Sequence, residues 1–176
     1  GIHAGHISLI KASQNKKSKT IVSIFVNPTQ FNKRDDFKKY PRNIKKDIAI
    51  LEKLNVEYLF TPNSKDIYKF KAKKFYLKKK DKILCAKYRI GHFEGVLNVM
   101  NRLMTIIKST DLYMGEKDYQ QLYLIKKFLS KNFKARINSC PTIRINNIAL
   151  STRNKLLKKR SIRKASEIAL FLKKVK

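Results

Sequence analysis

The chain has 176 residues, 43% of them hydrophobic, which suits one domain with a real core and is too apolar for a disordered chain. No apolar run approaches the ~18 residues of a membrane-crossing helix, and no stretch reads as a secretory signal. Lys and Arg number 42 against 12 Asp and Glu, a net charge of +30 that points to a polyanion or an anionic surface. The lysines are nevertheless spread along the whole chain, with the densest stretch, 69–82, interleaved by Phe70, Phe75 and Tyr76. Non-specific, salt-sensitive polyanion binding is therefore expected, and specific nucleic-acid binding is not. Cys85 and Cys140 are far apart and form no Cys-x-x-Cys pair, so reduced thiols, a cytoplasmic setting and no zinc site are expected.

The chain opens with Gly1-Ile2-His3-Ala4-Gly5-His6, two histidines three apart around a glycine. A helical pattern then runs from His6 to about Gln14, with Ile7 and Ile10 on one side. A helix N-terminus offers unpaired N–H groups and partial positive charge to an anion. Gly5 would let a phosphate approach the backbone, and both imidazoles could donate to it. On these residues alone, two unrelated loop histidines beside a flexible glycine remain the alternative.

Residues 20–26, Thr-Ile-Val-Ser-Ile-Phe-Val, read as a strand covered on both faces, as in a parallel sheet. Pro28 ends it, and Asn27 and Gln30 then lie beyond its carboxyl end, where open α/β sheets bind ligands. Residues 43–55 carry a helical stripe of Ile44, Ile48, Leu51 and Leu54. Residues 56–60 read as the next strand, giving the alternation of βαβ units. Residues 63–87 are the least informative part.

Arg89 and His92 stand just before a helix marked by Val96, Val99, Met100, Leu103 and Ile107, where they could meet an anion, although a structural histidine is the plainer reading. Residues 111–114 form a short strand running into Gly115-Glu116-Lys117-Asp118-Tyr119-Gln120-Gln121 and a further helix. In that turn Lys117 can neutralise phosphate, and Glu116 and Asp118 can accept from ribose hydroxyls. Residues 135–145 read as one more strand, followed by an Asn146-Asn147 turn. Ser151, Thr152 and Arg153 then offer two hydroxyls and a guanidinium, a good clamp for terminal phosphates. The last helix, 161–175, carries Ile162, Ala165, Ile168, Ala169 and Leu172.

Taken in order, six blocks resemble the pantothenate synthetase (pantoate–β-alanine ligase) family of the HIGH-motif nucleotidylyltransferase superfamily. They are residues 2–10, 23–31, Tyr40-Pro41-Arg42, Gly91-His92-Phe93 with Gly95-Val96, residues 115–121, and Leu150-Ser151-Thr152-Arg153-Asn154. The resemblance implies a Rossmann-like α/β fold with a parallel sheet flanked by helices, over residues 1–157. Residues 158–176 would be the first helix of a C-terminal domain otherwise absent from this chain. The strand before the first block is absent as well, which should leave an unpaired edge and exposed apolar surface. With both ends expected to be missing, this stretch alone is expected to be inactive or nearly so.

The resemblance further implies ATP-dependent condensation of pantoate with β-alanine through pantoyl adenylate. His3, His6 and Lys117 would act at the α-phosphate, His6 being the family's proton donor. Gly1, Ile2, Ala4, Gly5, Gly115, Glu116, Asp118, Ile143, Leu150, Ser151, Thr152 and Arg153 would complete the ATP site. Asn27, Gln30 and Gln121 would bind pantoate, and Gln30 would also border β-alanine. Mg²⁺ would ride on ATP with few protein ligands, Asp47 being a candidate for its outer shell. A homodimer is implied too.

This chain departs from the family in three small ways: Ile90 stands where proline is common, Thr152 where serine is common, and the turn before Leu150 lacks its usual glycine. Another HIGH-motif nucleotidylyltransferase, a decayed gene copy and a basic nucleic-acid-binding α/β module remain alternatives at this point.

Overall fold

The computed structural model describes residues 1–16, 18–31, 34–40, 42–69 and 71–175. Pro41 of the third block, Phe70 of the basic stretch and the terminal Lys176 lie outside the described residues. Helix α1 spans Ala4–Gln14, and strand β1, Ile21–Ser23, follows it. Two short helices come next, α2 over Arg34–Lys39 and α3 over Ile44–Lys53, the second capped by Asn43, whose side chain accepts the Lys46 N–H at 3.0 Å. Strand β2 is Tyr58–Phe60 and helix α4 is Ser64–Tyr68, opened by a reciprocal capping box between Asn63 and Asp66. After the short helix α5, Cys85–Tyr88, the long helix α6 runs from His92 to Ile107. Strand β3 (Asp111–Gly115), helix α7 (Tyr119–Leu129), strand β4 (Arg136–Cys140), strands β5 (Arg144–Ile145) and β6 (Ile148–Ala149), and helix α8 (Lys159–Lys174) complete the order.

The expected parallel pairing is present, but in two separate ladders among the described residues. β1 pairs with β2 in register Ile21 to Tyr58, and β3 pairs with β4 in register Asp111 to Arg136. The expected doubly covered strand over 20–26 is shorter and more open than its sequence reads, with Ile21 39% exposed. Among the described residues β1 has a ladder neighbour on one side only, which leaves it at an edge. Helix α1 spans the two halves. Its Gln14 amide donates to Leu54 O at 2.7 Å beyond α3, and Lys16 reaches Asp111 of β3 at 2.6 Å. Asp111 also accepts from Arg136 and Asn138 of β4, and these donors hold its carboxyl well below the usual carboxylate range.

The core sits where α6 and α7 pack on β3 and β4. Val96, Leu97, Met104, Leu124, Ile125 and Leu129 form its centre, with Leu112 and Ile137 packed against it. The stretch that reads poorly in sequence is organised by α6. Asn98 and Asn101 bond the backbone of Phe75 and Lys73, which turns Phe75 and Leu77 inward. The strand expected over 135–145 is two strands, because Pro141 lacks the N–H a ladder needs. β5 and β6 then form a hairpin in which Asn146 and Asn147 both take positive φ, 49° and 65°, so asparagine supplies the conformation usually given to glycine. No helix among the described residues is long and apolar enough to cross a membrane.

Candidate active site

The site starts at the N-terminus of α1. His3 is the N-cap residue, and its Nδ1 accepts the Gly5 N–H at 3.1 Å. An accepting Nδ1 puts the proton of the neutral ring on Nε2, which is left as a donor. The His6 ring stacks on it, with centroids 4.0 Å apart and planes 24° from parallel. Gly5 also has a role that its sequence context does not show. A Cβ there would lie 3.0 Å from His3 Cε1, so the glycine makes room for the His3 ring.

Partial burial pushes the His3 imidazole down from its ordinary value, with the Lys117 charge adding to the effect. His6 is pushed down to about 4, chiefly by desolvation, then by His3 and Lys117. Its residue as a whole is nonetheless partly exposed, so it is the ring that is desolvated. Both rings are neutral at pH 7, and Lys117 lies close enough to be felt by both. Asp47, buried at 4% exposure on α3, accepts the Ile2 N–H at 2.6 Å and so anchors the entry to the motif.

Facing this motif is the loop after β6. A cleft of about 330 Å³ is lined by Gly1, Ile2, His3, Leu150, Ser151, Thr152 and Asn154. The loop is held by Leu150 N–H on Ile143 O at 3.1 Å and by the Asn154 amide on Ala149 O at 3.1 Å. Ser151 Oγ accepts the Arg153 N–H at 3.2 Å, and the Arg153 guanidinium lies 5.1 Å over the Tyr40 ring. A second cleft, about 410 Å³, is lined by Gln14, Lys16, Ser18, Lys19 and Glu57 at the amino ends of β1 and β2, and it contains none of the motif residues.

Beyond the carboxyl end of β1, residues Pro28–Gln30 form a tight turn capped by Asn27. Its backbone presses against α6 where Gly95 leaves space, since a Cβ there would lie 2.6 Å from Thr29 O. His92 is the first residue of α6, buried, with Nδ1 2.6 Å from the Gln30 carbonyl oxygen. Its ring therefore donates to the turn, and the anion contact that its place before the helix allows is not how the ring is used. Asn27 is 1% exposed and its amide is committed to the turn and to Gly95 O. Gln30 and Gln121 are half-buried, and neither side chain makes a hydrogen bond among the described residues. Across from this turn, Lys117 and Asp118 pair at 3.7 Å, and Gly115 faces open space.

The first block and the Ser151–Thr152 loop, more than a hundred residues apart in sequence, thus line one cleft, and Lys117 lies within electrostatic reach of the block's two histidines. The whole sequence, residues 1–176, matches the Pantoate-beta-alanine ligase family. The chain belongs to that family. It is 45% identical over 177 aligned positions to the pantothenate synthetase of Francisella tularensis subsp. novicida, which covers 98% of this chain and 67% of the relative. A crystal structure of the pantoate-beta-alanine ligase of Francisella tularensis, complexed with β,γ-ATP and β-alanine, superposes with a TM-score of 0.91 at 44% identity, covering 98% of this chain and 67% of that one. The Thermus thermophilus pantothenate synthetase structure gives a TM-score of 0.87 at 32% identity, over 94% of this chain and 61% of that one.

Membership in a ligase family that forms a C–N bond sets the question each side chain must answer. His3, Leu150, Ser151 and Thr152 line the cleft together, with Lys117 within electrostatic reach of the His pair. Gln30 is set apart on the α6 side. Sequence reasoning missed Tyr40 as the platform for Arg153 and Asp47 as the anchor of Ile2. Both lie in the third block and α3, and nothing in their spacing signals a contact with distant residues.

Proposed function

We propose that the protein condenses (R)-pantoate with β-alanine at the expense of ATP, giving pantothenate, AMP and pyrophosphate. In the first step a pantoate carboxylate oxygen attacks the α-phosphorus, and the bond from that phosphorus to pyrophosphate breaks. In the second, the β-alanine nitrogen attacks the acyl carbon and loses a proton, and the carbon–oxygen bond to AMP breaks. The observation that carries this reading is the cleft that joins the stacked His3–His6 pair to the Ser151–Thr152 loop.

Charge develops on phosphoryl oxygens in the first step, so fixed donors and cations supply the catalysis. The His3 Nε2–H, the neutral His6 ring and the Lys117 ammonium would meet the α-phosphate, and polyphosphate charge would draw a proton back toward His6. Ser151, Thr152 and Arg153 would hold the departing pyrophosphate, and Gly115, Glu116 and Asp118 would border the ribose. Gln30 and Gln121 would bind pantoate, Gln30 also facing β-alanine, with Asn27 contributing by shaping the turn.

Mg²⁺ would enter on the nucleotide. Among the described residues no three His, Cys, Asp or Glu side chains lie together to hold a metal, and the Asp47 carboxylate is turned to Ile2. We read α8, whose Ile168 and Leu172 are 59% and 63% exposed, as the first helix of a further domain. A homodimer and a cytoplasmic setting belong to the same reading, and light scattering tests the first.

The deciding experiment measures, on the full-length gene product, AMP formation from ATP with pantoate and β-alanine, each omitted in turn, with His6→Ala as control. AMP that requires both co-substrates, with a loss of ~10²-fold or more in the variant, is the expected result. AMP formation indifferent to pantoate would overturn the assignment.

A further inference from the structure

We infer that Tyr68, at the end of α4, is a positioning residue for Gln30 that acts through the Asn27–Thr29 turn to set affinity for the hydroxy acid. The inference rests on Gln30 binding pantoate. The Tyr68 hydroxyl donates to Asn27 Oδ1 at 2.7 Å and lies 3.1 Å from Thr29 Oγ1. The same Asn27 oxygen accepts the Thr29 N–H at 3.2 Å and the Thr29 hydroxyl at 3.0 Å. On the opposite side, the Asn27 amide donates to Gly95 O at 3.2 Å and His92 holds the Gln30 carbonyl. The turn that carries Gln30 is thus gripped from two directions, by α6 and by Tyr68. Holding the backbone on both sides narrows the directions in which the Gln30 amide can point, which is what positioning a substrate requires.

Two observations separate this task from folding. Helix α4 is anchored without the hydroxyl, by Ile67 at 0% exposure and by the Asn63–Asp66 capping box. Asn27 Oδ1 would keep two donors from Thr29 if the phenol were lost, so no buried acceptor would be orphaned. The ring itself is held in place. Arg102, 6% exposed, lays its guanidinium 4.9 Å over the Tyr68 ring and donates to Asn98 O at 3.1 Å, while its Nε has no partner among the described residues. A buried cation with so few partners is costly, and stacking on the ring is its main compensation. Arg102 therefore fixes the direction in which the hydroxyl points.

The test is Tyr68→Phe, which keeps the ring on Arg102 and removes only the hydroxyl. Steady-state kinetics of the full-length protein for pantoate and ATP are measured with the melting temperature, alone and in a Gln30→Ala background. The expected result is a pantoate KM raised about 5- to 10-fold, in line with one lost hydrogen bond, an ATP KM changed less than about 2-fold, and a nearly unchanged melting temperature. Thr29→Val, which removes the second hydroxyl of the triangle, is expected to give the same pantoate-specific rise. In the Gln30→Ala background Tyr68→Phe is expected to add nothing. Equal rises for ATP and pantoate, or a marked fall in melting temperature, would make Tyr68 merely structural. Additive effects with Gln30→Ala would overturn the relay while leaving Gln30 as a ligand. A Gln30→Ala variant with an unchanged pantoate KM would overturn the Gln30 assignment and the relay together.

Discussion

Gly5→Ala tests the first motif most directly, because its two effects can be separated. The added Cβ would sit 3.0 Å from His3 Cε1 and 3.1 Å from Nδ1, where ordinary contact begins at 3.4 Å. The ring must retreat by about 0.3–0.4 Å, which stretches the 3.1 Å Gly5 N–H bond toward the edge of hydrogen bonding. Losing an N-cap bond costs about 1 kcal/mol, while replacing glycine by alanine inside a helix returns about 0.5–1 kcal/mol. The two nearly cancel, so the melting temperature should move by less than about 4 °C in a chain of this size. Catalysis has no such compensation. His3 carries the stacked His6 with it, and displacing reacting groups by up to an ångström costs as much as ~10²-fold. The expected outcome in the AMP-forming assay is a fall of about 10- to 100-fold in kcat/KM for ATP with stability retained. Full activity in the alanine variant would refute the view that the cap on Gly5 sets the His3 ring.

The His6 imidazole should titrate far below 6.5 in the ligand-free protein, near 4, and move upward when nucleotide binds. NMR of the ring protons checks both, and an ordinary midpoint in the free protein would contradict the site electrostatics. The sign for stability follows: a folded-state pKa below the unfolded 6.5 means the contribution is fully present above pH 6.5. It is lost as pH falls toward 4, and His3 and His92 act in the same direction. Denaturant melts at stepped pH should show that loss, weaker in His6→Gln. Gly95→Ala drives a Cβ to 2.6 Å from Thr29 O and 2.9 Å from Thr29 C, backbone atoms that cannot swing aside. It should cost about 1–3 kcal/mol in a melting experiment and raise the pantoate KM; a neutral result would show that the turn moves freely. Arg153→Ala should weaken ATP and pyrophosphate more than pantoate, and isothermal titration with each ligand decides it.

Local pattern sufficed for the long helices, while the short α2, α4 and α5 carry too few residues to show a stripe. α3, α6 and α7 show in the spacing of Ile44 and Leu51, of Val96, Val99 and Leu103, and of Leu122, Ile125 and Leu129, because a helical stripe is written in neighbouring residues. The candidate site blocks were legible for a related reason, since His3, His6, Lys117 and Ser151–Arg153 each stand at or near the start of a helix or helical turn. The strand limits read less well. Residues 20–26 look doubly covered, but cover depends on neighbours elsewhere in the chain.

Chain order and residue type alone, then, determined the family, the α/β class and the identity of the groups proposed to meet the nucleotide. Tertiary structure decided what those groups do before any ligand arrives. It set the His3 tautomer through Gly5 and turned Asp47 to Ile2. It committed His92 and Asn27 to the Gln30 turn and brought Tyr68 to Asn27 across 41 residues. These are contacts between side chains remote in sequence, and their energy depends on distance and burial, quantities that exist only after the chain has folded.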